Sequence, residues 1–188
     1  MRIPVVDNGG QWTHREWRVL RDLDVDSEIV PNTQDLAGAD VDGIVLSGGA
    51  LSMESSAAPL GIVDQWIERV TVPILGICVG HQYLARHFGG AVGRNSTPAF
   101  GRVTITVDEP AHPLFVGLPE HQRVWESHND SVTQLPPGWH RVAHSDGCPV
   151  EAMSHPSRPI YGVQFHPEVE HTEQGREIFQ RFLAVCRK

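Results

Sequence analysis

Pro73-Ile74-Leu75-Gly76-Ile77-Cys78-Val79-Gly80-His81-Gln82 joins an apolar run to a segment of helical spacing through one cysteine. Ile74 to Ile77 has the make-up of a short buried strand, and the pattern from Val79 to Phe88 predicts a helix. A strand that turns this sharply into a helix needs small residues two positions before and after the turn, because the two elements nearly touch there. Gly76 and Gly80 occupy those positions. Such an elbow lifts the sulfur to the start of the helix, where unpaired N–H groups and the positive dipole end favour thiolate over thiol. The other reading is a core cysteine before a helix. A base and an oxyanion site elsewhere in the chain decide between them.

Working outward, Ile3 to Asp7 reads as a strand ending in the turn cluster Asp7-Asn8-Gly9-Gly10-Gln11. A helix follows, with Trp12, Trp17, Leu20 and Leu23 on its apolar face and Arg15, Glu16, Arg18 and Arg21 largely on the others. Trp12 and Trp17 are expected in the core rather than at a ligand. Ser27 to Val30 reads as a second strand broken by Pro31, and Gly43 to Leu46 as a third that empties into Ser47-Gly48-Gly49-Ala50. Pro59 is expected to open a helix that buries Ile62, Val63, Trp66, Ile67 and Val70. Strands alternating with helices predict an α/β fold with a parallel sheet and functional loops at the strands' carboxyl ends. Beyond Val92 the texture changes to short alternating segments at 102–107, 123–125, 140–143, 150–153 and 160–165. Several of these should be antiparallel, added to the sheet or forming a small second one. Thr172 to Val185 predicts an amphipathic helix capped by Thr172.

The 188 residues fit one domain, 1–188, without repeats or a linker. A net charge of −8 with no basic run opposes nucleic-acid binding. No apolar stretch approaches a membrane span, and the amino terminus lacks a signal-peptide layout, so a cytoplasmic location is expected. Cys78, Cys148 and Cys186 are odd in number and widely spaced, which argues for reduced thiols and against a disulfide framework or structural zinc.

The base is expected in Gly162-Val163-Gln164-Phe165-His166-Pro167-Glu168. Pro167 pushes His166 towards extended backbone, so His166 and Glu168 project to one side and can meet. A carboxylate on one imidazole nitrogen fixes the tautomer and leaves the other nitrogen to serve a thiol. Taken alone, the pair also fits a surface hydrogen bond, or a metal set with His171 that lacks zinc-protease spacing.

The blocks Asp7 to Gln11, Ser47-Gly48-Gly49, Gly76 to Gln82, Val124-Trp125-Glu126-Ser127-His128-Asn129-Asp130 and Gly162 to Thr172 together resemble the class I (triad-type) glutamine amidotransferases over essentially the whole chain. Within that family, the Trp125 block and the Phe165 to Thr172 ending look most like GMP synthase, and the Asn8 to Arg15 opening looks like the archaeal form, in which the glutaminase is a separate subunit. The resemblance implies a flavodoxin-like fold: a mostly parallel central sheet flanked by helices, with an added smaller antiparallel sheet. It implies catalysis by Cys78, His166 and Glu168, an oxyanion hole from the amides of Gly49 and Val79, and L-glutamine held by Gln82 and the backbone around His128, Asp130 and Ser131. For His81 a locally packed role is as good a reading as a catalytic one. Ala50 stands where proline often follows Ser-Gly-Gly, and Trp12 replaces a common tyrosine. No metal or cofactor is expected on this chain. The Ser47 loop lacks the Asp-Ser of ATP pyrophosphatases and no P-loop follows, so ammonia would pass to an ATP-pyrophosphatase synthetase subunit that amidates XMP with ATP and Mg²⁺. The rival readings are an amidotransferase subunit for anthranilate, aminodeoxychorismate or carbamoyl phosphate synthesis, a thiol sensor on the same scaffold, and a γ-glutamyl or peptide hydrolase.

Overall fold

The computed structural model describes residues 1–53 and 60–187, apart from the side chains of Ser96 and Thr97. Nine strands form one mixed sheet in the order β2-β1-β3-β4-β9-β8-β7-β5-β6. Its parallel half comprises β1 (Val5–Asn8), β2 (Ile29–Pro31), β3 (Ile44–Gly49), β4 (Ile74–Ile77) and β9 (Ile160–Val163). The antiparallel half comprises β5 (Ala91–Val107), β6 (His121–Gln134), β7 (His140–His144) and β8 (Ala152–Ser154). The antiparallel strands therefore continue the central sheet; among the described residues they build no second one. The join is β9, which pairs in parallel with β4 and antiparallel with β8. Pro31 does not break β2 but ends it, as an edge strand allows.

The inner strands β4 and β9 are fully buried and β3 is buried as far as Gly48, as a sheet covered on both faces requires, while β1 and the edge strand β2 are less completely covered. Helix α1 (Thr13–Arg21) packs on β1, β2 and β3 and against α4 (Gly175–Cys186), while α3 (Val79–His87) covers β3, β4 and β9. The strand order turns back between β1 and β3, and ligands of open α/β sheets bind at the carboxyl end of such a switch point. Asp7 to Gln11, Ser47 to Ala50 and Cys78 all lie at that end. Asn8 stitches two of these loops together: its amide donates to Ser47 Oγ and its side chain to Ser47 O, each at 2.9 Å.

Two helices differ from expectation. The segment before β4 yields only the four-residue α2 (Val63–Trp66), although Val63, Trp66, Ile67 and Val70 are buried as expected; Pro59 lies outside the described residues. The last helix begins at Gly175 because Thr172 is used elsewhere. Its hydroxyl donates to His166 O at 2.7 Å and accepts the Trp125 amide at 3.0 Å.

Candidate active site

Cys78 takes φ 50°, ψ −104°, a left-handed conformation that non-glycine residues rarely adopt. Strain of this kind costs about 1–3 kcal/mol and persists only when the surroundings enforce it. Here they do: the Cys78 amide donates to Val163 O at 2.9 Å, and its carbonyl accepts the Gln82 amide at 3.0 Å, closing the first turn of α3. The flanking glycines are sterically required. A Cβ on Gly76 would lie 2.7 Å from the Gly80 carbonyl carbon, and one on Gly80 would collide with Leu46 O. The elbow is thus closed by backbone contact between strand and helix.

The imidazole reaches the sulfur because β9 lies beside β4, which places the segment after β9 over the end of the elbow. His166 Nδ1 donates to Glu168 Oε1 at 2.7 Å, with both side chains nearly inaccessible to solvent. Nε2 is buried without a hydrogen-bond partner of normal geometry, and it is the nitrogen left for the thiol. A Cβ on Gly48 would lie 3.3 Å from His166 Cε1 and 3.7 Å from Cys78 Cβ, so both side chains converge on one glycine. Burial opposes a charge on His166, but Glu168 and then Cys78 outweigh it and carry its pKa well above the ordinary imidazole value.

These groups open on a cavity of about 480 Å³ whose wall includes Gly49, Cys78, Val79, Gln82, His128, Asp130 and His166. Val79 begins α3, so its N–H is among those a helix leaves without an internal partner. The Gln82 amide nitrogen donates to Asp130 O at 2.6 Å and to Gln164 Oε1 at 3.1 Å, tying α3 to β6. Ser52 Oγ donates to Asp130 Oδ2 at 2.6 Å, which draws the loop after β3 towards the same strand. Ser131 is not on the cavity wall; it sits behind it, bonded to Asn95. His81 also points away. Its Nε2 donates to Val150 O at 3.2 Å, and burial lowers its pKa to about 3, so it is a neutral packing residue. His171 does not join His166: its ring lies edge-on to Trp125 at 4.9 Å.

Three residues at the site carry no role in the sequence reading. Trp12, expected in the core, is on the cavity wall, its ring edge-on to His166 with centroids 4.4 Å apart. Glu16, expected on a solvated helix face, is fully buried, and its Oε1 accepts the Gly48 amide at 3.2 Å. Burial first, then the charge of Glu168, hold the Glu16 carboxyl well above the usual carboxylate range. Gln164 donates to Cys78 Sγ at 3.7 Å from the stretch just before His166. A single acidic residue among arginines in a helix gives no sign that the opposite loop will offer it a backbone amide. For Gln164, the signal was its place beside the His-Pro-Glu block.

The chain matches the family described as Glutamine amidotransferase class-I over residues 4–186. A glutamine-hydrolyzing GMP synthase subunit from Thermoplasma acidophilum is 50% identical over 187 residues, covering 99% of this chain and 93% of that protein. Its counterpart from Thermococcus kodakarensis is 48% identical over 188 residues, covering 98% of each. Among solved structures, a Thermoplasma acidophilum protein with 49% identity superimposes with a TM-score of 0.93 over 100% of this chain and 94% of that one. A glutamine amidotransferase from Thermotoga maritima, only 21% identical, shares the fold with a TM-score of 0.75 over 100% of this chain and 82% of that one. The matched span takes in the elbow, the glycine loop and the His-Pro-Glu segment alike: the chain belongs to the class I glutamine amidotransferases.

Proposed function

We propose that this chain is the glutaminase subunit of a GMP synthase, releasing ammonia from L-glutamine for a synthetase subunit that converts XMP to GMP. The observation that carries the chemistry is the His166 to Glu168 bond with Nε2 left over beside a cysteine on a strained elbow. The full-length similarity to glutamine-hydrolyzing subunits of GMP synthases supports the choice of partner.

In the first half-reaction, Cys78 as thiolate attacks the side-chain carbonyl carbon of glutamine and the C–S bond forms. Negative charge moves to the carbonyl oxygen, where the Gly49 and Val79 amides would receive it. As the tetrahedral adduct collapses, the C–N bond breaks and the proton on His166 Nε2 passes to nitrogen, giving ammonia and a γ-glutamyl thioester. The neutral imidazole, still oriented by Glu168, then takes a proton from water as that water attacks the thioester. Glutamate leaves, and the thiolate and imidazolium are restored. The raised pKa of His166 fits this cycle, because the imidazolium must be present when the amine departs. Gln82, His128, Asp130 and Ser131 would shape the pocket for the amino-acid end of the substrate. This chain would need no cofactor; ATP and Mg²⁺ would act on the synthetase, an ATP pyrophosphatase.

The test is glutaminase turnover, with a glutamine-analogue label on Cys78, measured with and without synthetase, XMP, ATP and Mg²⁺. Turnover should be weak alone and rise with the loaded partner. Equal turnover in both conditions would refute partner control, and glutaminase activation by a synthetase of another class but not by the XMP-amidating one would refute the assignment. Cys78→Ala should abolish glutamine-dependent synthesis while the complex still uses added ammonia.

A further inference from the structure

Behind the His128 wall of the cavity lie two glutamates that the chemistry above does not use. Glu126 on β6 and Glu151, just before β8, are 1% and 0% exposed. Each has one oxygen accounted for: Glu126 Oε2 accepts from His128 Nε2 at 3.0 Å, and Glu151 Oε1 accepts from Ser145 Oγ at 2.6 Å. The other two, Glu126 Oε1 and Glu151 Oε2, are buried without a partner if both groups are ionised. The two side chains lie within hydrogen-bonding reach of one another. Two carboxylates cannot bond without a proton, and one proton between them satisfies both orphaned oxygens.

The outer end of this pair leads to the cavity. With Nε2–H given to Glu126, His128 Nδ1 accepts from Asn95 Nδ2 at 3.4 Å, and Asn95 Oδ1 accepts from Ser131 Oγ. Asn95 lies on β5 where the pairing with β6 loses register between Arg94 and Ala99, so the ladder does not fix that stretch. Side-chain bonds do so instead. We infer that Glu126 and Glu151 retain one shared proton and act as a positioning pair, locking His128, and through it the Asn95 to Ser131 link, in the arrangement that shapes the glutamine pocket.

Glu126 faces the His128 N–H whereas Glu151 faces only the Ser145 hydroxyl, an arrangement that favours charge on Glu126 and the proton on Glu151. Burial and then the neighbouring Glu126 charge hold Glu151 well above the carboxylate range; burial also disfavours charge on Glu126, but its bonds to His128 and Glu151 prevail and lower it. The other titratable groups acting on the pair are Cys148, whose thiol burial pushes up, and His166 across the pocket. Loss of the shared proton would set two buried like charges against each other and free His128. The pair's folded-state affinity for that proton is raised, so the lock is intact at neutral pH and fails as pH climbs.

This inference rests on the glutaminase reading for its substrate but not for its proton. The experiment uses the complex with its synthetase. The KM for glutamine of the wild type should rise at alkaline pH while kcat changes less, and that of Glu151→Gln, which keeps a permanent donor, should stay flat. Glu151→Leu should raise KM about tenfold at neutral pH, as expected for one buried bond left unmade, and Glu151→Gln should restore it. Infrared spectra in D₂O should show neutral-carboxyl absorption that Glu151→Gln removes in part, the remainder belonging to Glu16. A flat wild-type KM profile, parallel wild-type and Gln profiles, or an unchanged carboxyl band each overturns the inference. A complex that shows the band but hydrolyses no glutamine upholds the shared proton and defeats the glutaminase reading.

Discussion

Glu16 occupies a helix position flanked by Arg15 and Arg18, yet its carboxyl is sealed between α1 and the Ser47 to Gly49 loop. It holds the amide of the glycine on which His166 and Cys78 converge. Glu16→Gln retains the acceptor, and Glu16→Leu leaves the Gly48 N–H buried and unpaired, which costs about 1–3 kcal/mol. Denaturant unfolding should therefore rank the Leu variant well below the Gln variant. The pH dependence has a definite sign. The folded pKa of Glu16 is raised, so its contribution is complete below the unfolded carboxyl pKa and is lost as pH rises towards the folded value. Glu16→Gln should gain stability relative to wild type across that rise, and a constant difference between the two curves would contradict an ionisable Glu16. Gly48→Ala tests convergence directly. Its methyl would press on His166 Cε1 at 3.3 Å, so turnover should fall about 10–100-fold while thermal stability changes little.

At the level of elements, the His166 segment lies beyond the ladder of β9, which ends at Val163, and is held by one backbone bond and by the Thr172 side chain. The His166 amide donates to Trp125 O at 2.9 Å, and Thr172 closes the loop with its two bonds to His166 and Trp125. Thr172→Val removes both and should destabilise the protein by about 1–3 kcal/mol while lowering kcat more than it raises KM. Thr172→Ser should recover most of the loss, and a Ser variant as impaired as Val would mean that the methyl, not the hydroxyl, matters. The elbow is legible from sequence because its cause is local: glycines at 76 and 80, a cysteine between them, an apolar run before. His166 and Glu168 are legible for the same reason, being two residues apart across a proline. Thr172 reads as a cap because a threonine before an amphipathic segment satisfies the local rule, and only the nearby β6 offers it better partners. Residue type assigns Trp12 to the apolar face and Glu16 to a solvated one, although a spacing of four sets them on one side of the helix, and both meet the cavity. The cavity meets α1 end-on, at its first turn, where face no longer predicts burial.

For the whole molecule, alternating strands and helices foretell the parallel half, but the order of the last five strands has no local signature. Short segments with glycine and proline between them fit several arrangements, and the parallel insertion of β9 beside β4 is decided by which apolar run fits between two buried neighbours. The three thiols show how that arrangement sorts chemistry. Cys148 is buried with its thiol pushed up, Cys186 is pushed up to about 12 by burial, and Cys78 stands on the cavity wall. A limiting amount of a small alkylating reagent at neutral pH should modify one thiol per chain, and peptide mapping should find it at Cys78. Modification spread over all three would contradict this sorting.

Because β9 is the seam between the two halves of the sheet and is translated long after β4 and directly after β8, a nascent chain holds its nucleophile long before its base. Until residues 160–168 arrive, β4 and β8 each present an uncovered edge, and neither can be capped by the other. One late insertion then seals two sticky borders and assembles the reactive centre together. A chain interrupted before that point would be inert towards its amide substrate and prone to self-association.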